Sequence, residues 1–317
     1  MTFTWTPLTG DDVDRWAELL TAVEAEDRTG DNYSRSDLLQ DLALADPAEG
    51  TCGVWDGDRL VAFGVVYAGS VAEPGHIMRT WGAVHPAYRR RGLGGRLMNW
   101  TLQAGRRVHE GLFPGRPLSL HVYVHDGNEW AGAVARAAGM LPVRTFHVMT
   151  RDLAAPLPEN HLPEGLKIVP YGDDLEEAAR EVRNAAFADH WGSTPHTAES
   201  WREKLIGLEA FSGKDSFVVQ EESGRSVGIL LTFYYAADTE VTGVREAWVQ
   251  TVATLEDWRG RGVAGALLAH ALAHFRSEGY GKAALSVDTG NATGAPGVYL
   301  RAGFEVSRGA TAYVADL

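Results

Sequence analysis

The sequence predicts an α/β (α+β) protein built from two tandem copies of one domain, each a mixed, mostly antiparallel twisted sheet flanked by helices. Three observations carry this reading. The chain has 317 residues, comfortable for two domains of about 150. Four sequence features recur in the same order at nearly one offset. Within each half, β-branched and aromatic runs with tight turns alternate with stretches of helical period.

The elements follow in order. PLTGDDVDRWAELLTAV from Pro7 and PYGDDLEEAAREVRNAAF from Pro170 each read as a strand end, a Gly/Asp helix start and an amphipathic helix. Val13, Trp16, Leu20 and Val23 form one apolar stripe; Leu175, Ala178, Val182 and Ala186 form the other. CGVWDGDRLVAFGVVYAG and FVVQEESGRSVGILLTFYYA then read as hairpins turning at Asp56-Gly57 and Ser223-Gly224. YRRRGLGGRLM, Tyr88 to Met98, answers WRGRGVAGALL, Trp258 to Leu268, and RAAGM around Gly139 answers LRAGF around Gly303. Each half thus predicts strand, helix, helix, three strands, helix, strand, helix, two strands. Repeats of about 160 residues exceed a solenoid unit, so a whole domain is duplicated. The domains are expected at 1–155 and 166–317, joined by the proline-rich PLPENHLPEG over 156–165.

Composition narrows the function classes. The chain is 45% hydrophobic and 22% charged, as in a globular protein. A single Cys52 excludes an intramolecular disulfide and fits a reducing compartment. MTFTWTPLTGDD has neither a basic nor an apolar leader region. No apolar run approaches the roughly 18 residues a spanning helix needs. A cytoplasmic protein without a membrane partner is expected. The net charge of −13 argues against nucleic acid as a partner. Acidic balance is first a solubility feature and only mildly favours cationic small molecules.

The glycine stretches carry the chemistry. Each lies between a strand, HIMRTWGAV or REAWVQTVAT, and a helix with apolar Leu93, Leu97 and Met98 or Val263, Leu267 and Leu268. Small residues therefore sit on a helix's first turn, where backbone N–H groups are unpaired and the macrodipole is positive. Glycine there lets an anion's oxygen approach those amides, which makes a cradle for phosphate or pyrophosphate. No Lys-Ser/Thr follows, so this is no Walker loop, and the dinucleotide pattern is missing too. What fits is Arg-x-x-Gly-x-Gly/Ala: Arg89, Gly92 and Gly94 in one copy, Arg259, Gly262 and Ala264 in the other.

Here each half resembles a GCN5-related N-acetyltransferase (GNAT), whose Q/R-x-x-G-x-G/A loop holds the pyrophosphate of acetyl-CoA. The second copy continues as LSVDTGNATGAPGVYLRAGF, similar to that family's next motif: strand, Asn, helix, Tyr-x-x-x-Gly-Phe. In its doubled form the chain also resembles the mycothiol synthases. The resemblance implies acetyl-CoA as co-substrate and a small-molecule amine as acceptor. It places Val252 at the thioester carbonyl, Thr254 near the pantetheine, and Arg259, Gly260, Arg261, Gly262, Val263, Ala264 and Gly265 at the pyrophosphate. Asn291 would start the next helix and touch the coenzyme. Tyr299 would protonate the departing thiolate.

The first half departs from this pattern. Val84, Arg89, Arg90, Arg91, Gly92, Leu93, Gly94 and Gly95 repeat the cradle, but Ala135 stands where Tyr299 would be. The resemblance then implies a first half able to hold the coenzyme without the acid. Strand alternation puts Glu246, Trp248, Gln250 and Val252 on one face, and Glu246 is the ionisable candidate base there. It lies roughly 20 Å along the strand from Val252. Asp189, His190 and Trp191 between two helices are candidates for holding a cationic acceptor. His270/His274 and His121/His125 are i, i+4 pairs that gather no third ligand, so no metal is expected. A coenzyme-binding sensor without turnover is the alternative from another class, and Tyr299 discriminates it.

Overall fold

The computed structural model describes every residue except Met1, Pro47, Pro74, Asn160, Ala292 and Thr293. Asn160, inside the expected linker, thus falls outside the described residues. The chain forms two compact units, 1–145 with 310–317, and 146–309.

In the first unit the order is β1 (Thr4–Thr6), α1 (Val13–Asp27), α2 (Arg35–Leu44), β2 (Thr51–Asp56), β3 (Arg59–Tyr67), β4 (His76–Val84), α3 (Leu93–Leu112), β5 (Leu118–His125) and α4 (Glu129–Ala137). β6 (Leu141–Asp152) then begins. β1 to β4 pair antiparallel in sequence order, whereas β4 and β5 run parallel. The hairpin turn falls where expected, with Gly57 at φ +60°. β3 is buried from Leu60 to Val66 because helices cover both of its faces. Trp16, Leu19 and Leu38 pack on one face and Leu93 and Leu97 on the other. Each such fully buried side chain contributes about 1.5–3 kcal/mol. α2 starts at a capping box, with the Ser34 hydroxyl accepting from Asp37 N and the Asp37 carboxylate accepting from Ser34 N.

The second unit repeats the plan: β7 (Leu166–Pro170), α5 (Glu176–Ala186), α6 (Ala198–Trp201), β8 (Phe217–Glu221), β9 (Ser226–Phe233), α7 (Ala236–Thr242), β10 (Glu246–Thr254), α8 (Val263–Ser277), β11 (Lys282–Asp288) and α9 (Ala295–Arg301), after which β12 (Glu305–Asp316) begins. The short α7 is an addition the repeat did not predict. β7 to β10 pair antiparallel, and β10 and β11 are parallel. α5 and α6 cover one face through Ala179, Val182 and Trp201; α8 covers the other through Leu267, Leu268 and Phe275.

The end of each half differs from the expected pair of closing strands. β6 and β12 are each one strand of 12 residues. The middle of LPVRTFHVMTRD holds no turn residue, and Gly309 is absent from the positive-φ glycines, so neither stretch folds back as a hairpin. Phe146–Asp152 pairs antiparallel with β11 in the second unit, and Ala310–Asp316 pairs antiparallel with β5 in the first. Relative to a division at 155, residues 146–155 pack with the second half and 310–317 with the first.

Candidate active site

In the second unit β10 and β11 pair only over Glu246–Val249 and Lys282–Leu285. Beyond that both strands continue, to Thr254 and Asp288, without pairing with each other. The result is a fork whose β10 edge has peptide groups with no sheet partner on that side. On the other side β10 stays bonded to β9, with the register shifting by one residue at Gln250. Bulges of this kind re-aim a strand next to functional sites.

The bulge overturns one expectation. Ala247 and Val249 pack toward α8, and so does Val252, whereas Trp248 and Ala253 pack toward α5. Glu246, Trp248, Gln250 and Val252 therefore do not share a face, because the extra residue reverses the alternation. In the first unit β4 forks from β5 in the same way, pairing only over His76–Thr80 and Leu118–Val122. Its register with β3 is unbroken from Arg79 to Val84. The alignment that matches Val84 to Thr254 thus matches Met78 to Ala247 rather than to Trp248.

Each fork ends in a glycine turn. Gly262 at φ +87° is the N-cap of α8, and Gly92 at φ +78° is the N-cap of α3. No side chain caps either helix, so the first-turn amides are left for a ligand. A Cβ added at Gly260, Gly262 or Gly265, or at Gly92 or Gly95, would meet nothing within 4 Å. These glycines keep backbone open to approach rather than fitting a packed neighbour. Gly94 differs, since its Cβ would lie 3.3 Å from Val134 Cγ2. Gly260 is left-handed at φ +74°, and Arg90 at the matching place takes φ +60° despite its side chain. The first turn thus holds a strained residue where the second has glycine.

The motif arginines turn away from the cradle. Arg259 donates from Nε to Thr254 O and from Nη2 to Ala186 O, at 3.3 and 2.9 Å. Arg89 donates from Nε to Val84 O and grips the Asp27 carboxylate with both terminal nitrogens, at 2.6 and 2.7 Å. Both brace the loop against the strand end and the first helix of the unit. Arg91 and Arg261 instead stack on Tyr88 and Trp258, each 4.9 Å from the ring centroid. Those rings are held in turn: Tyr88 OH donates to Asp56 and Trp258 Nε1 to Glu221, at 2.9 and 2.8 Å. Asp56 and Glu221 end the equivalent strands β2 and β8, so this support is duplicated with the domain. Sequence reasoning missed it, although an aromatic residue three before each arginine was there to be read.

Tyr299 lies on α9, 8% exposed, with its ring against Phe304. Burial pushes its phenol up to about 12. Asn291 is not the cap of α9, which begins at Ala295 after Gly294; its N–H closes the turn after β11 by donating to Asp288 O. Thr254 Oγ1 is buried without a partner beside the turn. Glu246 sits at the far end of β10, 2.7 Å from Lys282 Nζ. Asp189 is exposed, while His190 Nδ1 lies 3.0 Å from Trp191 O. Trp191 packs against Phe146, a residue the sequence did not bring to this site, at 6.1 Å between centroids. The loop carrying them is pinned to α5, where Arg183 donates to Thr194 O and Asn184 to His196 O. His274 Nε2 is 2.8 Å from buried Asp215. Among the described residues no three His, Cys, Asp or Glu converge as a metal site. Cys52 is buried and its thiol is pushed up to about 12, which leaves it inert as a nucleophile.

These residues fit a coenzyme with a pyrophosphate and a thioester arm. An open amide cradle at the head of a helix of 15 residues suits the first. An unpartnered hydroxyl at Thr254 and a forked strand edge suit the second.

Comparison with known proteins points the same way. The acetyltransferase (GNAT) family pattern matches residues 14–135 and again 177–304. The mycothiol acetyltransferase of Thermobispora bispora is 32% identical over 253 residues, covering 79% of this chain and 78% of that protein. That of Segniliparus rotundus is 31% identical over 255 residues, covering 80% and 89%. A GCN5-related N-acetyltransferase from Sphaerobacter thermophilus superposes with a TM-score of 0.79 at 26% identity, covering 99% of this chain and 95% of that one. A tandem GNAT protein from the clavulanic acid biosynthesis pathway shares the fold, with a TM-score of 0.73 at 16% identity over 99% and 98% of the two chains.

Proposed function

We propose that this chain, which belongs to the acetyltransferase (GNAT) family, uses its second unit to move an acetyl group from acetyl-CoA to the primary amine of a small molecule by direct attack. That it is an acetyltransferase follows from the doubled family match and from its relatives. The observation that carries the choice of unit is the conjunction in one unit of the Gln250 bulge, the open Gly262 turn and buried Tyr299, which shares a core cluster with Val249 and Leu285 at the base of the fork.

Bound acetyl-CoA would supply an activated thioester and a thiolate leaving group. The chain's residues do the rest. The amides from Arg259 to Gly265 hold the pyrophosphate. The β10 edge around Val252 offers an N–H where negative charge develops, an interaction worth roughly 3–4 kcal/mol. Tyr299, a phenol that burial holds further above neutral pH, gives its proton at the sulfur, worth on the order of 10² to 10⁴-fold. Glu246, ion-paired to Lys282 at the far end of β10, is too remote to take the ammonium proton, which leaves to bulk water. Asp189, His190 and Trp191 hold the acceptor. The first unit keeps the cradle at Arg89 to Gly95 but has Ala135 in place of the acid. The protein works in the cytoplasm, a reading supported by its single cysteine and by the lack, among described residues, of a helix fit to cross a membrane.

A second reading is favoured by the two relatives named mycothiol acetyltransferase: the acceptor is the cysteinyl amine of a thiol-sugar. Thiol release from acetyl-CoA across a panel of small amines, a cysteinyl thiol-sugar among them, tests both. Release with one acceptor class identifies the substrate. No release and no calorimetric binding of acetyl-CoA would sink the proposal, and binding without release would favour a sensor.

A further inference from the structure

α9 carries Tyr299 and is only seven residues long, with a proline and a glycine in its first turn. A helix that short does not hold itself, so its place is set by what it packs against. At its C-terminal end the chain's own amides take three carbonyls: Val298 O accepts from Ala302, Tyr299 O from Phe304 and Leu300 O from Gly303. Ala302 O is taken by a side chain. Arg151 on β6 donates to it from Nη1, and to Pro156 O from Nη2. Arg151 stands between Met149 and Leu153, which lie in one core cluster with Tyr299, Ala302 and Phe304. Gly303 turns the chain at φ +82°, and a Cβ there would overlap the guanidinium. The glycine of Tyr-x-x-x-Gly-Phe thus makes room for Arg151.

This brace is costly to keep. Arg151 is 5% exposed, its bonds go to carbonyls rather than to a carboxylate, and Nε is buried with no partner. Burial and the charge of Arg276 both press the guanidinium toward its neutral form, against Asp152. A buried cation so sparsely paired adds little to stability. The first unit does without one. Arg151 pairs with Ala283, which pairs with Ala247; Ala315 pairs with Leu120, which pairs with Met78. Since Met78 matches Ala247, Ala315 stands where Arg151 does. It packs in one cluster with Ala135, and a Cβ at Gly139 would meet nothing within 4 Å. The unit without the tyrosine lacks the arginine as well, so the guanidinium goes with the acid rather than with the fold.

We propose that Arg151 is a positioning residue for the transfer, holding the C-terminal end of α9 so that the Tyr299 hydroxyl meets the sulfur. This role rests on the one proposed above for Tyr299. Arg151 acts through the helix alone, without touching coenzyme or acceptor. Its planar fork spans two carbonyls at fixed geometry, which the single ammonium of a lysine cannot do.

The test is a double-mutant cycle on the full chain: unaltered protein, Arg151→Met, Tyr299→Phe and the two together. Thiol release from acetyl-CoA is read with the fastest amine of the panel above. Methionine keeps an apolar stem in the buried site. Arg151→Met should lower kcat at least about tenfold while the KM for acetyl-CoA stays within about twofold. Once Tyr299 is phenylalanine, the same substitution should cost less than about twofold. Where Arg151→Met does not melt cooperatively, Arg151→Lys takes its place in the cycle, with a loss of about fivefold expected. An unchanged kcat, a matching rise in KM, or a loss repeated in full on the Tyr299→Phe background would each overturn the proposal. Those results leave Tyr299 as the acid. A Tyr299→Phe protein as active as the unaltered one would overturn both roles, so the two failures are told apart.

Discussion

At the scale of the residue, Tyr299 is the sharpest assignment. Burial raises its phenol to about 12, so the group stays protonated at any working pH and enters the reaction as an acid and not as a base. Tyr299→Phe should lower kcat by roughly 10² to 10⁴-fold with little change in the KM for acetyl-CoA. The kcat profile of the unaltered protein should show no alkaline loss from this group below about pH 10, read by stopped thiol-release assays. A second residue tests stability. Burial raises Asp41 from 3.8 to about 6, beside Tyr67. Its protonated form is thus favoured on folding. The first unit is unpenalised below pH 3.8, loses stability as pH rises through about 6, and stays weaker above. Asp41→Asn should melt higher than the unaltered protein at pH 7.5 in scanning calorimetry, and the difference should vanish near pH 4. Tyr299 and the glycines could be read from the sequence because their spacing is local. The props Trp258–Glu221 and Tyr88–Asp56 could not, since their partners lie 37 and 32 positions apart.

At the scale of the element, the strand–turn–helix units appeared in the sequence because glycine, hydrophobic period and repeat agreed at each. The bulge in β10 did not. EAWVQTVAT alternates without a glycine or proline, so nothing local marks Gln250 as the residue the ladder skips. Deleting Gln250 should restore the unbroken register seen in β4 and rotate Val252 out of place. We expect thiol release to fall at least about a hundredfold, the scale of one lost oxyanion donor, with circular dichroism unchanged. Gln250→Ala keeps the backbone count and should retain most activity. If deletion leaves turnover intact, the bulge does not aim the carbonyl-binding edge.

At the scale of the whole molecule, duplication was legible and the exchange of closing strands was not. The repeat reports ancestry, whereas strand pairing depends on whether β6 and β12 turn back, and they lack the residues to do so. The first unit therefore needs Ala310–Asp316 against β5, where Tyr313 OH also accepts from Arg136 at 2.6 Å. Ending the chain at Gly309 should lower the melting temperature of the first unit and speed hydrogen exchange in β5. A fragment of 166–317, lacking the Phe146–Asp152 partner of β11, should fail to give a cooperative melt.

The central claim is a division of labour between two similar cradles. Thiol release from acetyl-CoA, with the best acceptor, should be measured for Gly92→Glu and Gly262→Glu side by side. A glutamate at either position puts a side chain and a negative charge into space that is open now. The account predicts that Gly262→Glu abolishes release while Gly92→Glu stays within a few-fold of the unaltered protein. Loss in Gly92→Glu with activity kept in Gly262→Glu would contradict it and move the reaction to the first unit.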